Sequence, residues 1–329
     1  MLQLPKLRNL YILILSYYLK NNKKINKYYN KHINNMKQGV LANLYQIDRQ
    51  IGKGGQGTVY LGRSMSDPLG KQLAIKIIPL NAQTKTLALQ EIAAIKTVSN
   101  PNCIPYVACA LDTFYDPTAN QAVIVMEYVN GPTIAEYVYP LRANPTPANV
   151  ALLTIINKQL LRIMIVALKF IHNNNMLHND VKPANVVVSQ DKIPVLVDFG
   201  ISCYVNQAVN QVCSLPYGKI IAKCCNTNAG TSIFMPPEVI KNVRYPSSDS
   251  WSLGAMIYTL MTGINVWGIN VRDYTVESLM QEVVNKLQTG VIPNQLNSND
   301  VALNTVVNSF LLLDPSQRMS LDQAYQILG

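Results

Sequence analysis

Between His178 and Gly200 the chain reads HNDVKPANVVVSQDKIPVLVDFG, a stretch that admits few folds and fewer functions. Asp180, Lys182 and Asn185 stand close together, and Asp198 follows at the end of a second apolar run. The β-branched runs Val186–Val188 and Val195–Val197, joined through Gln190–Lys192, predict a small hairpin that brings Asn185 and Asp198 near each other. Both offer hard oxygen ligands of the kind Mg²⁺ takes alongside substrate phosphates. Asp180 lies off the metal, as an acceptor for the proton of an attacking hydroxyl. Lys182 carries the charge that neutralises a transferring phosphoryl group.

At these residues the stretch resembles the catalytic and metal loops of eukaryotic-type protein kinases, HRDxKxxN followed by DFG. The resemblance implies Asp180 as catalytic base, Asn185 and Asp198 as metal ligands, and Phe199 as the packing residue beside the metal aspartate. One position departs from the pattern: Asn179 stands where the family has arginine.

Upstream, alternation through Thr58–Leu61, turn residues at Asp67–Gly70 and the apolar run Leu73–Ile78 predict three consecutive antiparallel strands. Gly52, Gly54 and Gly57 form GxGxxG in the first turn. Dinucleotide-binding folds share that motif, but there the glycines open a helix. Here the strand-like TVYLG follows, which fits a flexible hairpin over phosphates. By resemblance, Ile51, Val59 and Ala74 pack on the adenine of ATP. Lys76 lies in LAIK, and its neighbours Ala74 and Ile78 mark its face as buried. A buried ammonium needs an anionic partner. Glu91 is the acid on the helix-like segment Lys85–Val98, and the resemblance makes Lys76–Glu91 the ion pair of the active state.

Val123–Met126 reads as a buried strand broken by Asn130–Gly131–Pro132. The resemblance makes this the hinge between two lobes, with Met126 behind the adenine and backbone groups of Glu127 and Val129 binding its edge. Val150–Asn173 predicts a core helix, in which His172 is structural. After Gly200 come 29 residues of little periodicity, then GTSIFMPPE. A loop so long is usually functional, and by resemblance it is the activation segment, closed at Glu238. Thr231 and Lys182 match the serine/threonine class. Asp249 resembles the anchor beneath the catalytic loop, and Arg318 the buried partner of Glu238. Ala184 lacks the acid that some basic-directed kinases place there, so arginine-flanked targets are not expected.

The formal charge of +10 is unevenly spread: residues 1–47 hold eight Lys or Arg and no acid, and the remainder is close to neutral. Six scattered cysteines without a CxxC pair argue against a zinc site or a disulfide framework and fit a reducing compartment. No uninterrupted apolar run reaches the roughly 18 residues of a bilayer span. The apolar run Leu10–Leu19 follows Lys6 and Arg8, but KNNKK replaces a cleavage site, so a signal peptide is not expected.

The resulting expectation is an α+β, bilobal kinase-like fold, with a small antiparallel sheet plus one helix and a larger, mainly helical lobe. Residues 1–43 form a basic extension, partly disordered or a short helix; 44–128 and 129–329 form the two lobes. The expected activity is transfer of the ATP γ-phosphoryl group, with Mg²⁺, to protein Ser/Thr hydroxyls, independent of activation-segment phosphorylation because Asn179 has no charge to contact a phosphate. The alternative is an ATP-binding scaffold of the same fold. A cytoplasmic monomer is expected, whose extension contacts anionic surfaces, membrane or nucleic acid.

Overall fold

The computed structural model describes residues 39–41, 44–67, 69–82, 84–99, 103–205, 212–214, 221–223, 231–241 and 243–329. All eight basic residues of the extension, and Thr227, lie outside the described residues.

The chain opens with an antiparallel sheet. Strands β1 (Gly39–Leu41), β2 (Tyr45–Lys53), β3 (Thr58–Ser64), β4 (Gln72–Pro79), β5 (Ala110–Asp116) and β6 (Gln121–Glu127) lie in the order β1-β2-β3-β4-β6-β5. The sheet therefore begins at Gly39, ahead of the boundary expected at 44. The cause is Leu41, which is buried in a small cluster with Leu73, Ile75, Val123 and Val125 on one face of the sheet. A strand edge that buries an apolar side chain joins the sheet whatever the composition of the residues before it.

Helix α1 (Thr84–Ser99) crosses the other face. Ala88, Glu91, Ile95 and Val98 are buried at three- and four-residue spacing, so Glu91 rides in the middle of an apolar stripe. Between α1 and β5, Cys103 and Cys109 form a disulfide with Cα atoms 6.1 Å apart, within the usual span for such a bond. Cys203 is also disulfide-bonded. These bonds correct the expectation of unpaired thiols, which rested on the absence of a recognisable cysteine pattern; bonding depends on proximity in the fold.

The larger lobe is helical: α2 (Ile134–Ala143), α3 (Pro147–Asn173), α4 (Pro246–Thr262), α5 (Val276–Gln288), α6 (Val301–Phe310) and α7 (Leu321–Leu328). Short strands β7 (Met176–Leu177), β8 (Val186–Val188), β9 (Pro194–Leu196) and β10 (Cys203–Tyr204) lie between α3 and α4, as does the pair β11 (Val212–Ser214) and β12 (Ile221–Lys223). Thr146 caps α3 by accepting from Asn149 N–H, and Pro147 occupies its first turn, where no backbone donor is needed. Helix α3 is long and apolar enough to cross a membrane. Its stripe Leu160, Leu161, Met164, Ile165, Leu168 and Ile171 is nevertheless fully buried among the other helices. That stripe belongs to the core, while Val150, Leu152 and Ile155 nearer the start of α3 are exposed.

The lobes meet at Asn130–Gly131–Pro132, where a Cβ on Gly131 would lie 1.8 Å from the Val188 carbonyl oxygen. Only glycine lets the connecting strand lie this close to β8. The carbonyl of Pro132 then accepts from Val188 N–H at 2.9 Å, fixing the connecting segment to the β8–β9 hairpin.

Candidate active site

Strands β3, β4 and β6 set the roof of the cleft. Val59 pairs with Lys76 across β3 and β4, and Ala74 pairs with Met126 across β4 and β6. Gly52 faces Val59 at the start of the glycine turn, whose Gly54 N–H donates to the Gly57 carbonyl at 2.9 Å. A Cβ on Gly57 would meet the Ile77 carbonyl oxygen at 2.5 Å, whereas one on Gly54 would make only an ordinary contact, with the Gly57 carbonyl oxygen at 3.9 Å. Thus Gly57 is demanded by the sheet beneath and Gly54 leaves room above. Ile51, Val59, Ala74, Met126 and Val129 are all half-buried, consistent with lining a cleft; Glu127 is exposed and its side chain pairs with Lys71 at 2.7 Å.

The register of β4 and the stripe of α1 bring Lys76 and Glu91 together: Nζ lies 2.5 Å from Glu91 Oε1 and 2.8 Å from Asp198 Oδ1. Burial opposes the charge on Lys76, yet the two carboxylates outweigh it and raise its pKa above the ordinary lysine value. Burial pushes Glu91 up, against the pull of Lys76. Asp198 is held below the usual carboxylate range, chiefly by Lys76 acting against desolvation. Its backbone is left-handed, with φ 70°. That turn sends Phe199 inward, where it is 1% exposed and meets the His178 ring edge-on at 5.2 Å. Asp198 consequently faces the cleft with a side chain 44% exposed.

The catalytic loop is assembled from below. Asp249, on the buried α4, accepts from His178 N–H at 2.9 Å and Asn179 N–H at 2.8 Å, and contacts His172 Nε2 at 2.9 Å. Desolvation alone would favour its neutral form, but His172 and these donors hold its pKa down. The structural role expected of His172 is this contact. Above, Asp180 Oδ2 accepts from Lys182 Nζ at 2.6 Å and Asn185 Nδ2 at 2.9 Å. Thr231 Oγ1 accepts from Lys182 Nζ at 2.9 Å and donates to Asp180 Oδ1 at 3.3 Å. Val197 N–H donates to the Asn185 carbonyl at 2.8 Å, which seats Asn185 beside the strand leading to Asp198, as the hairpin predicted.

The donor set fits a hard divalent cation. Asn185 spends its amide nitrogen on Asp180, leaving the amide oxygen as its ligand atom, and Asp198 presents a carboxylate to the cleft. The cluster is equipped to orient an anionic phosphate chain, accept a hydroxyl proton and neutralise charge at the transferred group. Lower in the large lobe, Arg318 binds Glu238 through two 2.8 Å hydrogen bonds, the expected pair.

Three contributors carried no sequence signal. Gln56 Nε2, at the tip of the glycine turn, donates to the Gly200 carbonyl at 2.8 Å. Tyr204 bonds Thr97 Oγ1 and the Ala93 carbonyl on α1. Arg244 Nη1 donates to Asn179 Oδ1 at 3.3 Å. Each joins elements 65 or more residues apart, beyond the reach of any local pattern.

The sequence profile of the protein kinase domain matches residues 45–327. MAP3K epsilon protein kinase 2 of Arabidopsis thaliana is 28% identical over 230 residues, covering 69% of this chain and 15% of that protein. Serine/threonine-protein kinase KIC1 of Saccharomyces cerevisiae is 29% identical over 309 residues, covering 88% of this chain and 24% of that protein. A probable serine/threonine-protein kinase of Dictyostelium discoideum is 29% identical over 225 residues, covering 65% of this chain and 46% of its own length. The matches span less than half the length of these relatives.

Proposed function

The chain belongs to the protein kinase domain family, and on that premise we propose that it is an active serine/threonine kinase that transfers the γ-phosphoryl group of ATP to protein hydroxyls. The observation that carries this reading is Lys76, bonded at once to Glu91 and to Asp198. That contact joins α1, the sheet and the metal loop in the arrangement phosphoryl transfer needs.

Asp180 accepts the proton of the incoming hydroxyl, and Lys182, bonded to it at 2.6 Å, neutralises charge on the transferred group. Lys76 orients the phosphates, and the glycine turn with Ile51, Gly52, Gly54, Gly57 and Val59 covers them. Ala74, Met126, Glu127 and Val129 receive the adenine. Asn185 and Asp198 would hold Mg²⁺, which supplies positive charge to the phosphates when bound. The printed names of the relatives support the Ser/Thr class, as does Thr231 at the mouth of the site.

We further propose that activity does not depend on phosphorylation of the segment 201–232. Asn179 is neutral, and its amide already donates to the Ile201 carbonyl at 3.0 Å. Helix α1 is tied to the start of that segment by the uncharged Tyr204 hydroxyl. The kinase unit then runs from about residue 39, and the eight basic residues ahead of it suit contact with anionic surfaces.

Labelled ATP with generic protein substrates, compared between wild type and Asp180→Asn, tests the activity. Transfer to Ser/Thr that falls about 10²–10⁴-fold in the variant is expected. Wild type that binds ATP without transferring it would make the chain a scaffold. Ser214→Ala and Thr227→Ala retain turnover; Thr231→Ala loses it for a different reason, since that hydroxyl bonds Asp180 and Lys182.

A further inference from the structure

Arg244 lies between the turn Pro237–Lys241 and α4, five positions before Asp249. It is 8% exposed. A guanidinium stays charged, so burying one requires acids around it. Burial pulls its pKa below the ordinary guanidinium value, against the opposing fields of Asp249, Glu238 and Asp180. Asp249 holds the catalytic loop from below, Glu238 closes the activation segment, and Asp180 is the proton acceptor. One buried cation thus feels the fields of carboxylates from three parts of the proposed active centre, while its hydrogen bond at 3.3 Å goes to Asn179.

The contact with Asn179 gives this placement a direction. Asn179 Oδ1 accepts from Arg244 at 3.3 Å, while Asn179 Nδ2 donates to the Ile201 carbonyl at 3.0 Å and to Cys203 Sγ at 3.1 Å. A carboxamide, with an acceptor at one end and donors at the other, can link a cation to a carbonyl; arginine at 179 has no acceptor to do so. The backbone of Asn179 is left-handed, φ 67°, a conformation asparagine tolerates better than most residues.

We infer that Arg244 is a positioning residue that supplies, from a separate segment, the positive charge absent at position 179, and that it acts through Asn179 to hold Asp180 and the residues after Gly200 in register without a phosphate. The inference rests on the kinase reading. It goes beyond phosphorylation independence by naming what replaces the phosphate-dependent tie: a permanent charge that no phosphatase removes.

The test uses the full chain as wild type, Arg244→Gln, Arg244→Lys, Asn179→Ala and Asn179→Arg/Arg244→Gln. Two readouts are needed: kcat and KM for ATP with a generic protein substrate, and amide hydrogen exchange at residues 178–180 and 201–203 without nucleotide. Arg244→Gln is expected to lower kcat about 10-fold or more, with KM for ATP within about 2-fold, because misplacement of the acceptor affects chemistry more than ATP binding. Exchange at 201–203 accelerates. Arg244→Lys recovers part of kcat, and the double variant, which returns a cation to 179, turns over faster than Arg244→Gln. If Arg244→Gln does not fold, Asn179→Ala carries the test, since it cuts the link while keeping the guanidinium, and the same kcat loss is expected. Folded variants with wild-type kcat and exchange would overturn the inference, as would a kcat loss unaccompanied by faster exchange. A wild type without phosphotransfer sinks the kinase reading instead, and exchange alone then decides whether Arg244 holds the loop.

Discussion

Lys76–Glu91 in the small lobe and Arg318–Glu238 in the large lobe are both buried ion pairs, but they are closed to different degrees. Arg318 meets Glu238 with two parallel hydrogen bonds, and Glu238 Oε1 also accepts from Ser248 Oγ at 2.6 Å. The remaining guanidinium donors go to the carbonyls of Ser247, Leu312 and Leu313, and the group lies over the Trp251 ring at 5.0 Å. Lys76 instead divides one charge between two carboxylates, and Glu91 Oε2 is buried with no hydrogen-bond partner among the described residues. The first arrangement is saturated and holds the lobe together. The second retains surplus negative charge at the cleft, where Asp198 is still half exposed and able to take a metal. A saturated pair has nothing left to offer a ligand.

The sharpest way to break this comparison is to remove one partner from each pair. Arg318→Met strands Glu238 in the core and is expected to cost about 3–5 kcal/mol of stability, a fall in Tm on the order of 10 °C, read by thermal unfolding. Residual activity should follow the folded fraction. Lys76→Met is expected to lower turnover about 10²–10³-fold, by loss of a charged donor to the phosphates, with a smaller Tm change, because Glu91 can take up a proton. A larger Tm loss for Lys76→Met than for Arg318→Met would reverse the assignment.

A subtler probe is pH. Glu91 has a raised pKa, so its favourable contribution is present below the unfolded value of 4.5 and is lost as pH rises through the folded value. Asp249 has a lowered pKa; its contribution is present above 3.8 and is lost as pH falls through the folded value. Relative to wild type, the Tm of Glu91→Gln should therefore improve from pH 4 to pH 8. The penalty of Asp249→Asn should shrink toward pH 3. Parallel slopes for the two variants would show that the pKa values of Glu91 and Asp249 are not shifted in the opposite directions described. The smallest effect is expected at Tyr204→Phe, which removes a hydroxyl from α1: about 1 kcal/mol, hence roughly 5-fold in turnover if it governs the seating of Glu91. Steady-state kinetics at saturating ATP would measure it.

What the sequence disclosed, and what it did not, divides along the same physical line. Strand alternation, the α1 stripe, the hairpin at 186–196 and the long helix α3 are local patterns, and each formed where it was expected. The pairing of Lys76 with Glu91 and of Arg318 with Glu238 was legible because each follows a recognisable motif. The anchoring of β1 by Leu41, the disulfide Cys103–Cys109 and the reach of Arg244 to Asn179 were not legible. Each depends on which surfaces meet after the chain has folded. Asn179 shows this well: the sequence reveals the missing charge, and only the fold reveals where a neighbouring charge lies.

The hydrogen bond from Gln56 to the Gly200 carbonyl makes the glycine turn a clasp across the mouth of the cleft. A neutral bond of this kind contributes about 0.5–1.5 kcal/mol. On the proposed reading, a nucleotide passing beneath the glycine turn meets a latch of that size, one amide deep and light enough for thermal motion to lift.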